Sequence, residues 1–117
     1  MSTTSERRTE ERLSYQWPIW FAEDFHGELS QGQMEDVSSR AAAFTCYADE
    51  RCPHPGQHLT TRFSVPRYGT ENSFDLVDFV RTGRVYRVDG IHGALRRVAI
   101  QFTEPLPFRP GEQSSTN

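Results

Sequence analysis

This chain of 117 residues predicts an all-β fold, an antiparallel barrel, on three observations. Apolar residues recur at period two in several short runs, clearest in Leu59, Thr61, Phe63, Val65 and in Val98, Ile100, Phe102. Glycine, proline, aspartate and asparagine separate these runs at short intervals. No stretch carries a 3.6-residue apolar period long enough for an amphipathic helix. Strands that bury one face and are joined by tight turns, with no long helix, point to an antiparallel barrel rather than an α/β fold.

Residues 1–13 are polar and charged without apolar period and read as a flexible arm. Tyr15 to Phe21 is aromatic and β-prone, with Pro18 restricting it to an edge or a bulge. Gly27 to Ser38 follows as a polar strand. In Ala42 to Tyr47, Phe44 and Cys46 alternate with Ala43 and Thr45. The Leu59–Val65 strand ends at Pro66. Phe74–Val80 and Arg84–Val88 read as two runs interrupted at Thr82-Gly83, where a glycine in a strand pattern marks a bulge or bend. Asp89-Gly90 and His92-Gly93 supply the next turn before the last strand. Seven short strands thus fill residues 14–107, and the Pro-, Gly- and Ser-rich residues 108–117 are expected to be disordered.

Eight Phe, four Tyr and two Trp within a 35% hydrophobic share can fill one β core. A net charge of −3 argues against a general coat for DNA or RNA, which needs a basic field. No run approaches the roughly 18 apolar residues of a membrane span, and the first residues lack a signal peptide's apolar region, so a cytoplasmic protein without membrane insertion is expected. Cys46 and Cys52 are then reduced thiols. With His54 and His58 they place soft ligands close together, but apart from the two histidines the spacing matches no common zinc pattern. No nucleophile–base pair or paired carboxylate stands out, and no enzyme activity is expected.

Two short segments carry the functional signal. Arg8-Thr9-Glu10-Glu11-Arg12 sets two guanidiniums four positions apart, after a third at Arg7. Asp36-Val37-Ser38-Ser39-Arg40-Ala41 puts a carboxylate and a hydroxyl at a strand-to-turn junction. Each has a plain structural reading: the arginines as solvated residues paired with Glu10 and Glu11, Asp36 and Ser38 as an Asx or Ser turn. In this order, RxxxR followed by DxSxx and a small residue resembles the PilZ domain, a bacterial receptor module for cyclic di-GMP. Ala41 stands where that family has glycine. The resemblance covers residues 6–107 and implies an all-β, six- to seven-stranded antiparallel PilZ-like β-barrel. It also implies cyclic di-GMP as ligand, with no other cofactor, and a downstream protein effector.

The residue types suit that ligand. Arginine forks match phosphate oxygens and the O6/N7 edge of guanine, while Asp36 can accept from guanine N1–H and N2–H and Ser38 can add one bond. Arg7 can stack on a base. The resemblance places Tyr86 on a strand flanking the ligand, where it stacks on a purine or is one more barrel aromatic. An alanine forced into the glycine's left-handed conformation at position 41 would cost about 1–2 kcal/mol. The alternative is a PilZ-type adaptor that binds a protein without nucleotide, which Ala41 favours.

Overall fold

The computed structural model describes residues 10–24, 26–69 and 74–113. Seven strands follow in order: β1 (Leu13–Ser14), β2 (Pro18–Ala22), β3 (Ser30–Val37), β4 (Ala41–Tyr47), β5 (His58–Tyr68), β6 (Phe74–His92) and β7 (Leu95–Phe102). All pair antiparallel in the order β3-β2-β5-β6-β7-β4, and the β3–β4 ladder closes the ring, with β1 added beside β3. A six-stranded barrel with one extra strand results, PilZ-like in architecture.

The period-two runs do what their spacing predicts. Leu59, Thr61, Phe63 and Val65 are all buried, as are Val98, Ile100 and Phe102. Thr61 is accommodated because its hydroxyl donates to the Arg81 carbonyl at 2.8 Å. Phe63 stacks on Phe102 with centroids 5.6 Å apart and meets Phe79 at 6.2 Å, and Phe21 packs on Phe44 at 5.0 Å. On β4, Ala42, Phe44 and Cys46 enter the core, so Ala41, Ala43 and Thr45 share the outer face. Burial pushes the Cys46 thiol up to about 12, with the neighbouring Cys52 adding to the effect.

Three expectations are corrected. The runs on either side of Thr82-Gly83 form one strand of 19 residues, β6, which pairs first with β5 and then with β7. Gly83 is the crossing point rather than a bulge: a Cβ there would lie 2.6 Å from the Gln101 carbonyl oxygen and 2.8 Å from Ile100. β5 continues through Pro66 to Tyr68, where among the described residues it pairs with β6 alone. In the C-terminal stretch expected to be disordered, residues 108–113 pack against the barrel. Leu106 is buried, Phe108 meets Phe79 at 6.0 Å, and Pro110–Glu112 form a 3-10 turn with Pro110 buried. Arg81 holds this strap by donating to the carbonyls of Glu104 at 3.1 Å and Pro105 at 3.3 Å. A few apolar anchors and one clamping guanidinium outweigh a composition that reads as a tail.

Candidate functional site

The β3–β4 hairpin carrying Asp36 and Ser38 is densely hydrogen-bonded. Ser38 N–H donates to the Ala41 carbonyl at 2.8 Å, and the Ser38 hydroxyl accepts from Arg40 N at 3.3 Å and Ala41 N at 3.2 Å. Ser39 N–H and hydroxyl each donate to the Glu10 carboxylate at 2.7 Å, while the Ser39 and Arg40 carbonyls accept from Leu106 N at 2.7 Å and Phe102 N at 2.8 Å. With the four N–H groups of residues 38–41 and the Ser39, Arg40 and Ala41 carbonyls paired, the hairpin is a rigid mount. Ser38 is buried and its hydroxyl is committed to the turn.

Ala41 is the first residue of β4, paired with Gln101. The left-handed conformation expected at this alanine is therefore absent, and no strain stands to be relieved by glycine. Ala41→Gly is instead expected to lower stability by about 1–2 kcal/mol, through a buried methyl lost and a more flexible strand residue. Denaturant unfolding measures this. A gain in stability would reinstate the strain.

Two β-bulges shape the site. The β3–β4 register slips between Met34 and Asp36, and the β6–β7 register slips between Val85 and Arg87. In a regular strand, neighbouring side chains alternate faces; the extra residue re-aims one of them. Glu35 and Asp36 consequently reach the same guanidinium, that of Arg97, at 2.6 Å to Nε and 3.0 Å to Nη2. On the other side, Tyr86 and Arg87 both face one cavity. Between the bulges, Ala43 pairs with Asp36 and with Ala99, and Ala99 pairs with Arg87, so two small side chains floor the groove.

Arg12 reaches this groove from the arm, its Nη1 2.8 Å from Asp36 Oδ1. Burial works against its charge, but hydrogen bonding to Asp36 and Tyr86 and their attraction outweigh it and raise its pKa. Hydrogen bonding to Glu35 outweighs burial at Arg97 in the same direction. The ladder Arg12–Asp36–Arg97–Glu35 thus alternates in sign from the arm across β3 and β7. The cavity beside it encloses about 520 Å3, with Arg12, Arg87 and Arg97 against Glu11 and Asp36 in its wall. Small-molecule sites span ~300–1,000 Å3. A second cavity of about 420 Å3 is lined by Glu23, Asp24, Glu28 and Glu50 with Arg51, a poor host for an anion. Among the described residues no group of His, Cys, Asp and Glu is arranged to hold a metal.

The arm, expected to be mobile to residue 13, is anchored from Glu10 onward. Glu10 caps Ser39, Glu11 N–H donates to Glu112 Oε2 at 2.9 Å, and Leu13–Ser14 pair with Val37 and Asp36. The bond from Glu11 lowers the Glu112 pKa, so this clasp holds above the usual glutamate range and is lost as acid protonates Glu112. Of the residues singled out from sequence, Arg12, Asp36 and Tyr86 converge on the groove, Ser38 and Ala41 build the hairpin, and Arg7 and Arg8 lie outside the described residues. Arg97 and Glu35 were missed. Arg97 looks like any outward residue of an alternating strand, and a bulge at Glu35 has no residue signature.

Fold and site together define a small closed antiparallel barrel with an arginine–carboxylate ladder in an open groove. Its fold is similar to that of the Bacillus subtilis inhibitor of motility MotI, also called DgrA, with a TM-score of 0.69 at 14% identity. The likeness covers 87% of this chain and 45% of that one, so this chain spans less than half its length. No family model and no curated protein matches the sequence. Among the described residues no helix is long and apolar enough to cross a membrane.

Proposed function

We propose that this chain is a non-catalytic cytoplasmic receptor for cyclic di-GMP that relays the ligand to a protein effector. The observation that carries the reading is the meeting of Arg12 and Asp36, 24 positions apart in sequence, at 2.8 Å in the groove that Tyr86 also lines. These are residues of the two motifs that suggest the family, and the barrel is the fold that family implies. In this reading Arg8 and Arg12 take phosphate or guanine edges, Asp36 takes guanine N1–H and N2–H, Tyr86 stacks on a purine, and Ser38 and Ala41 set the hairpin that presents Asp36. Because Glu10, Glu11 and Leu13–Ser14 are already bonded to the barrel, binding does not have to order this part of the arm, which saves about 1–2 kcal/mol per residue.

Calorimetric titration with cyclic di-GMP should give micromolar affinity or tighter. Arg7 is assigned to stack on a base and to admit a self-stacked pair of ligands, so a stoichiometry near two is expected, falling in Arg7→Leu. A stoichiometry of one for both proteins would reject that role. A second reading, an adaptor that binds a protein without nucleotide, draws on Asp36 being already bonded by both Arg12 and Arg97. Absence of heat at saturating ligand selects it.

A further inference from the structure

We propose that Arg97 is a ligand-contacting residue of the groove, a guanidinium that binds a phosphate of the ligand and belongs to neither sequence motif. The proposal rests on the receptor reading and extends its residue set. Arg97 projects from β7 into the wall of the cavity, on the same strand face as the floor residue Ala99. Its two bonds to carboxylates use Nε and Nη2, whereas a guanidinium carries five N–H donors in a planar fork suited to phosphate. Its side chain is 37% exposed, so solvent and solute reach it.

The two carboxylates on Arg97 are not equivalent. Asp36 is held from both sides and is 16% exposed, whereas Glu35, at 36%, touches the ladder only at its Arg97 end. An exposed ion pair of this kind is weak and exchangeable. Two guanidiniums facing two carboxylates leave the ladder without excess charge, and an arriving phosphodiester adds one negative charge. Release of Glu35 to solvent restores the balance and frees the Nε edge of Arg97 for a phosphate oxygen, with Asp36 left in place for guanine. Glu35 is therefore the ligand's competitor, and the bulge that aims it at Arg97 sets how strongly the groove resists an anion.

This assignment fixes the sign of one substitution. Glu35→Gln should tighten cyclic di-GMP binding about three- to tenfold, because a like charge beside the phosphate is removed. If Arg97 served only to hold Asp36 in position through Glu35, the same change would weaken binding. Arg97→Ala should weaken it at least tenfold, and Arg97→Lys, which keeps the charge without the fork, should recover part of that loss and replaces the alanine variant if that one does not fold. In parallel, the side-chain Nε–H resonance of Arg97 should shift on adding ligand.

Binding by the parent protein with unchanged affinity in Arg97→Ala, or with weakened affinity in Glu35→Gln, overturns the role of Arg97 and leaves the receptor reading standing. Failure of the parent to bind cyclic di-GMP removes the receptor reading instead. Inorganic pyrophosphate is then the probe: a saturable shift of the Arg97 resonance, absent from residues of the acidic cavity, supports an anion site, and an unmoved resonance overturns it.

Discussion

Arg12→Ala is expected to weaken cyclic di-GMP binding at least thirtyfold. One charge-assisted contact to the ligand is worth about 1.5–3 kcal/mol, and about 2 kcal/mol corresponds to a factor of thirty. The loss should exceed the contact alone, because Arg12 also neutralises Asp36, whose carboxylate is 16% exposed. Left with Arg97 only, Asp36 would turn toward β7 and away from the guanine it is assigned to read. Arg12→Lys keeps the charge but not the planar fork, and an intermediate affinity is expected. Calorimetry on the three proteins decides the matter, and a change smaller than threefold in Arg12→Ala would remove Arg12 from the site. Stability should fall as well, by about 1–3 kcal/mol, since a largely buried carboxylate loses one of its two partners.

The second large effect is expected from a residue that touches no ligand. A Cβ built on Gly111 would lie 2.5 Å from the Glu11 carbonyl oxygen and 2.6 Å from the Arg12 carbonyl carbon. Both neighbours are backbone, so no side chain can swing aside, and Gly111→Ala must push the strap off the arm. The bond from Glu11 to Glu112 goes with it, and Arg12 loses the support that aims it at Asp36. Ligand affinity should drop about tenfold, and the melting temperature should fall by several degrees, at about 4–8 °C per kcal/mol for a domain of this size. Hydrogen exchange should accelerate in residues 10–14 and 105–113 while the β5–β6 ladder stays protected. Unchanged exchange in both segments would show that strap and arm do not depend on each other.

What the sequence disclosed followed from side-chain period and local turn chemistry. Leu59 to Val65 and Val98 to Phe102 announced their inward faces, and the Arg12 and Asp36 motifs announced two residues that the fold brings into contact. What it hid depended on neighbours distant in the chain. Gly83 carries the mark of a bulge, but its missing side chain makes room for the Gln101 carbonyl of β7, a contact set by sheet closure. The register slips fall instead at Glu35, Tyr86 and Ile91, ordinary strand residues whose register is fixed by β4 and β7. Ala41 suggested a strained turn because a glycine was expected there, whereas the Ser38 hydroxyl closes the hairpin and lets Ala41 begin a strand. The strap was masked by composition: Leu106, Phe108 and Pro110 are enough to dock a stretch that otherwise reads as unstructured.

The clasp of Glu11 on Glu112 joins positions 101 apart in the chain, and this bears on how the molecule assembles in time. The β3–β4, β5–β6 and β6–β7 hairpins close over short spans and should form early, whereas β2 must find β5, and the strap must find the arm, across long ones. Loop closure grows costlier with span, and barrels of non-local pairs fold in milliseconds to seconds. Arg12 meets Asp36 through β1 and the clasp, so the groove is among the last features to appear. In a refolding experiment, sheet content should recover first and ligand-binding competence should trail it by a measurable lag.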